Sequence, residues 1–154
     1  MFIRALMQQD IDPIIDFSLG ASESAWSKNA LQEVLKASLE GRYLVKVGVD
    51  KTAGTVIGYA VASHTFDQAD VHQIVVDHGF RGQSWGRKLL QMLIIDLTER
   101  GVETVFLEVR PSNQVAVNLY HSMGFECIQK RRDYYPGVDG VREDALVFSL
   151  RCLV

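Results

Sequence analysis

Cysteine is scarce: Cys127 and Cys152 are the only two in 154 residues, and nothing in their spacing suggests a metal site. A chain of this length builds a core without covalent staples. Two unpatterned cysteines fit a reduced, cytoplasmic protein better than a disulfide scaffold. The four histidines, at 64, 72, 78 and 121, are scattered and form no HExxH pair, so no metal is expected. No apolar run approaches the roughly 20 residues that span a bilayer. Arg4 and Asp10 interrupt the start, so neither a signal peptide nor a membrane partner is expected. Positive charge is not in excess either. Sixteen Lys and Arg stand against nineteen Asp and Glu, a net charge of −3, and this excludes a generally basic nucleic-acid-binding surface. There is no repeat, linker or low-complexity segment. Length and uniformity together predict one domain over residues 1–154.

What is present is a regular succession of strand and helix signals. FIRAL at 2–6 alternates as a strand. Residues 10–20 read as a helix, with Asp10 as N-cap, Pro13 in the first turn and Gly20 as the stop. A second helix starts at the Ser27 cap, carries apolar residues at 31, 34, 35 and 39, and stops at Gly41. RYLVKVGV and TVIGYAVASH read as a hairpin around DKTAG, and DVHQIVV as a third strand of that group. Residues 84–99 put Leu89, Leu90, Leu93, Ile94 and Leu97 on one helical face. ETVFLEV is a strand and SNQVAVNLYHSMG a short helix. FECIQKRR and DALVFSL are two last strands around the loop YPGVDGVRE. The order β-α-α-β-β-β-α-β-α-β-β predicts an α/β fold of the α+β type. Its mixed sheet combines hairpin pairing with a crossover.

The segment DHGFRGQSWGRKLLQ joins a strand to a helix through glycines at 79, 82 and 86, beside Arg81, Arg87 and Lys88. A first helical turn has free N–H groups and partial positive charge, so this is a natural anion site. It is not a Walker loop, since no Gly-Lys-Ser/Thr closes it, nor the three-glycine dinucleotide fingerprint. The competing reading is a tight connector followed by solvated cations.

In ETVFLEVRPSN, alternation puts Val105, Leu107 and Val109 on one face and Phe106 and Glu108 on the other. On a central strand, Glu108 would be partly dehydrated and could act as a base with a raised pKa. At an exposed strand end it would instead pair with Arg110. Tyr120, on the next helix, is either a core aromatic or a phenol facing a site. Asn113 either caps that helix or contacts a ligand.

The strand–RGQSWG–helix unit, followed by LEVRPSNQVAVNLYHSMGFE, resembles the GNAT N-acetyltransferases, and the segment order matches that fold along nearly the whole chain. The run RRDYYPGVDGVREDALVFSL is similar to the branch that acetylates the N-terminal alanine of a small-subunit ribosomal protein. AWSKNAL at 25–31 adds to that likeness. The resemblance implies a mostly antiparallel central sheet, acetyl-CoA as co-substrate and no metal. It implies that Ile74, Val75 and Val76 hold the pantetheine arm through the backbone. Arg81, Gly82, Gln83, Ser84, Trp85, Gly86 and Arg87 would wrap its pyrophosphate, and Asn113 would touch the cofactor. Glu108 would be the general base and Tyr120 the general acid, with Trp26, Tyr134 and Tyr135 near the acceptor. The implied partner is the N-terminus of a ribosomal protein, with no direct contact to nucleic acid. Another amine acceptor, or a non-catalytic CoA-binding domain, would carry the same fold. The motif Gln/Arg-x-x-Gly-x-Gly/Ala is altered in one place. Ser84 replaces its middle glycine, so the backbone there must take an ordinary φ or accept strain.

Overall fold

Eleven elements follow in the expected order: β1 (Phe2–Ala5), α1 (Ile11–Ser18), α2 (Lys28–Leu39), β2 (Leu44–Val49), β3 (Val56–Thr65), β4 (Gln68–Val76), α3 (Trp85–Glu99), β5 (Thr104–Val109), α4 (Gln114–Ser122), β6 (Glu126–Pro136) and β7 (Arg142–Arg151). They come from a computed structural model that describes residues 2–18, 26–137 and 140–152, so the expected stop at Gly20 lies outside the described residues. Among the described residues, no helix is long and apolar enough to cross a membrane.

One seven-stranded sheet runs in the order β1-β2-β3-β4-β5-β7-β6. Every neighbouring pair is antiparallel except β4 and β5, which the α3 crossover makes parallel. Each face buries its own core. On one side Leu89, Leu90, Leu93 and Leu97 of α3 are fully buried against Ala60, Val105, Leu107 and Phe148. Their spacing of one, three and four residues keeps them on a single stripe. On the other side Ile11, Ile14 and Ile15 of α1 and Leu31 and Leu35 of α2 cover Val45, Val47, Tyr59 and Val75. Ser27 caps α2 as expected, accepting from the Ala30 amide at 3.2 Å.

Asp10 does different work from the expected N-cap. It ends a short 3-10 turn, Gln8–Asp10, ahead of α1 and is buried. Its carboxylate takes Arg4 Nη2 at 2.8 Å and the Met7 amide at 2.8 Å. A buried carboxylate needs a charged partner, and Arg4 of β1 supplies it. Lys46 of β2 is also buried, and its ammonium is held by Asp96 of α3.

β4 contains one residue more than its neighbour can pair. Val61 faces Gln73 and Ala62 faces Val71, so His72 is a bulge. The bulge reverses the alternation. Before it, Ala69 and Val71 point into the α3 core; after it, Val75 points into the α1/α2 core. Parallel pairing to β5 ends at the same place, with Val71 against Leu107, although β4 continues to Val76 and β5 to Val109. The two strands part there.

Strand β6 is longer than expected. Tyr134, Tyr135 and Pro136 belong to it rather than to the loop. Pairing skips between Arg131–Ala145 and Tyr135–Glu143, with Asp133 in the left-handed region at φ 51°. Arg142 donates across this bulge to the carbonyls of Asp133 at 2.6 Å and Tyr134 at 2.7 Å. A proline is tolerated because β6 is an edge strand.

Candidate active site

The parting of β4 and β5 leaves Ile74 and Val76 on a strand edge without a strand partner. A cleft of about 690 Å³ opens beside it. The lining brings together ten of the expected residues: Ile74, Val76, Arg81, Gly82, Ser84, Trp85, Gly86, Arg87, Asn113 and Tyr120. Phe80, Ala116 and Leu119 complete the apolar wall, a contribution that only the packing of α4 reveals. The side chain of Val75 turns instead into the α1/α2 core, and Gln83 is exposed.

The loop at the cleft's end is shaped by its backbone. Asp77 Oδ1 accepts from the Gly79 amide at 2.9 Å and starts a 3-10 turn, His78–Phe80. Gly82 follows at φ 75° with open space where a Cβ would sit. Ser84 then takes the left-handed conformation, φ 62° and ψ 19°. Of the two options open to a serine here, the chain accepts strain, on the order of 1 kcal/mol. The amides of Gly82, Gln83 and Ser84 have no acceptor among the described residues. The next three belong to the first turn of α3, whose first i→i−4 bond is Lys88 N–H to Ser84 O at 3.1 Å. Gly82 and Ser84, both left-handed, place these amides in a turn that leads into a helix start, the kind of backbone that binds an anion.

The cations are partly committed. Arg81 Nε donates to the Val76 carbonyl at 3.1 Å, closing the end of β4. Arg87 bonds Ser122 Oγ and ties α3 to the end of α4. The Lys88 ammonium lies 4.5 Å from the centre of the Trp85 ring. Trp85 is 6% exposed, and its indole N–H has no acceptor among the described residues. Asn113 caps α4 by accepting from the Ala116 amide at 3.2 Å. That leaves its amide donors free on the cleft side.

Two groups flank the open edge of β5 from opposite faces. Tyr120 of α4 is 8% exposed and packs on Phe125 and Phe148, with ring centres 5.9 and 6.0 Å away. Burial, with a smaller effect from Tyr135, pushes its phenol up to about 12, so it is protonated throughout the neutral range. Glu108 faces the other way. It is neither dry nor paired to Arg110: its side chain keeps 27% exposure and binds Arg131 Nη1 at 2.7 Å. The guanidinium comes from β6, across β7, which single-strand alternation could not reveal. Arg110 instead bonds Glu143 at 3.5 Å and stacks 4.4 Å from the centre of the Tyr135 ring. Glu143 also accepts the Ser112 amide at 2.7 Å, which fixes the turn before α4; hydrogen bonding from the Ser112 side chain, then from its amide, holds the Glu143 carboxyl below the usual range. Tyr135 lies between the flanking groups. Burial raises its phenol first, and Glu108 adds to the effect.

The remaining expected residues, Trp26, Tyr134 and Tyr135, are not part of that lining. Tyr134 and Tyr135 meet edge to face at 5.1 Å. Trp26 lies 5.9 Å from the bulged His72, which also meets Tyr43 and shares a 2.7 Å hydrogen bond with Ser63. Burial lowers the pKa of His72, and Asp70 opposes that shift.

The chain as a whole is similar to known proteins. The ribosomal protein bS18-alanine N-acetyltransferase of Haemophilus ducreyi is 34% identical over 148 residues, 96% of this chain and 98% of that one. The crystal structure of the ribosomal-protein-S18-alanine N-acetyltransferase from Escherichia coli matches with a TM-score of 0.85 at 36% identity, covering 99% of this chain and 94% of that one. The yncA structure from Salmonella typhimurium, solved with its cofactor acetyl-CoA, shares the fold at 23% identity and a TM-score of 0.81. That match covers 98% of this chain and 93% of the other. The model of the acetyltransferase (GNAT) family matches residues 11–125. The chain belongs to that family.

Proposed function

We propose that the protein transfers an acetyl group from acetyl-CoA to the α-amine of the N-terminal alanine of a small-subunit ribosomal protein, in the cytoplasm. The observation that carries this reading is the open edge of β5, with Glu108 on one face and Tyr120 on the other, beside a cleft that ends in the turn before α3. The Haemophilus and Escherichia relatives are named for that reaction.

The residues fit the co-substrate. Gly82, with no Cβ to fill the space above it, and the amides of Gln83 to Arg87 suit a diphosphate. The edge of Ile74–Val76 that β5 leaves open, where Arg81 takes the Val76 carbonyl, suits an amide-bearing arm. Bound acetyl-CoA supplies an acyl group activated as a thioester. Glu108 then takes the amine's proton, directly or through water. An α-amine has a pKa of about 8 against about 10.4 for lysine, so freeing it at neutral pH is easier by roughly 3 kcal/mol. Tyr120 donates a hydrogen bond to the departing sulfur. A phenol near 12 is a weaker acid than a thiol at about 8.5, so stabilising the thiolate comes ahead of complete proton transfer. No covalent enzyme intermediate is required, and both cysteines stand apart from the cleft lining.

Incubation with acetyl-CoA and an alanine-initiated peptide carrying an internal lysine should place one acetyl on the α-amine, located by fragment mass spectrometry. Acetyl on the lysine alone would overturn the acceptor assignment.

Gly86 allows a separate check of the cleft. A Cβ there would meet Leu119 Cδ2 at 3.6 Å, an ordinary contact, so Gly86→Val keeps the fold while its extra methyls crowd the cleft. Its affinity for acetyl-CoA by titration calorimetry should fall at least tenfold, about 1.4 kcal/mol. Unchanged affinity would make the loop a connector only.

A further inference from the structure

The Glu108–Arg131 pair poses a problem for a general base. A lone carboxylate beside the acceptor would hold the incoming α-ammonium in its charged, unreactive form, because an opposite charge within about 4–6 Å raises an amine's pKa. Arg131 already occupies one carboxylate oxygen, at 2.7 Å, from two strands away. It is seated on the Tyr134 ring, 5.4 Å from the ring centre, and its partner residue in β7 is Ala145. Nothing in the cores depends on it, since its side chain is 44% exposed.

We propose that Arg131 is a positioning residue whose charge cancels that of Glu108, so that the acceptor's α-amine arrives in a neutral, nucleophilic form. The inference rests on Glu108 being the base. The proton that the neutral amine sheds once it has attacked the thioester passes, directly or through water, to the free carboxylate oxygen of Glu108. Arg131 keeps its own proton throughout, as guanidinium does in proteins. The other groups around Glu108 do not supply the same charge. From its own strand, Arg110 is engaged by Glu143 of β7 and by Tyr135. From β6, Tyr134 and Tyr135 are neutral phenols, as is Tyr120 of α4. From β4, Asp70 is an anion. His72, also on β4, loses charge through burial.

The test is the dependence of kcat on pH, with saturating acetyl-CoA and an alanine-initiated peptide, for wild type, R131M, R131K and E108Q. The acidic limb of kcat reports groups in the bound complex. Without the guanidinium, the uncompensated carboxylate makes the amine hold its proton more tightly, which moves the limb upward. R131M should shift it up by about one pH unit and lower the rate at pH 7 about tenfold. R131K, which restores the charge, should return the limb to the wild-type position. An R131M profile that overlays the wild type would overturn the inference, as would an R131K shift equal to that of R131M. Failure of the underlying reading looks different: E108Q would turn over at the wild-type rate, whatever the Arg131 variants do.

Discussion

Glu108→Gln should lower kcat about a hundredfold or more, within the range of roughly 10²–10⁴ that a positioned general base contributes. The substitution keeps the size of the side chain and removes its negative charge, and with it the ability to take a proton. It also breaks the link to Arg131, but both partners are partly exposed, and such pairs contribute about 0–1 kcal/mol to stability. Folding should therefore survive. The cleft lining does not include Glu108, so acetyl-CoA affinity should be unchanged. Holding both reactants together can supply roughly 7–11 kcal/mol without any base, so residual turnover should remain measurable. Steady-state kinetics with calorimetry on the same protein decides the matter. A variant that keeps most of its kcat would move the base elsewhere.

Asp96→Ala should cause the largest loss of stability, through Lys46. That side chain keeps 9% of its surface in water, and Asp96 holds its ammonium. Breaking a buried pair by removing one partner typically costs 3–5 kcal/mol, because the other charge stays behind. Asp96 is itself 24% exposed, so water can partly replace it, and about 3 kcal/mol is the expected figure. For a chain of this size that lowers Tm by about 6–12 °C. The double variant K46M/D96L should recover most of the loss, since an apolar pair of similar volume often matches a buried ion pair. A melting temperature unchanged in D96A would mean that the ammonium reaches water by itself.

Neither partner of that pair stood out in the sequence. Lys46 occupies an alternating position of a strand flanked by valines, and Asp96 looks like the polar face of an amphipathic helix. Their meeting depends on how α3 lies over β2, which no local pattern encodes. The same holds for Glu108 and Arg131, joined across an intervening strand. By contrast, α3, the alternation of β5 and the glycine-bearing turn before α3 were legible, because each is set by residues within a few positions of one another. The end of β6 was misread for a related reason. Pro136 and Gly137 signal a turn, but Arg142 reaches across and holds Asp133 and Tyr134 in the ladder. The serine at 84 was visible as a departure from the family motif. Only the backbone shows that the loop keeps its left-handed shape regardless.

The extra residue at His72 lets one strand serve two interiors that would otherwise need opposite phases. Substituting its ring leaves that arrangement intact, whereas deleting the residue would rotate every later side chain of the strand by half a turn. Val75 would then project toward the cleft, and Ile74 and Val76 would be driven beneath the first two helices. Residue count at this point, more than residue identity, keeps the cleft beside β4 open.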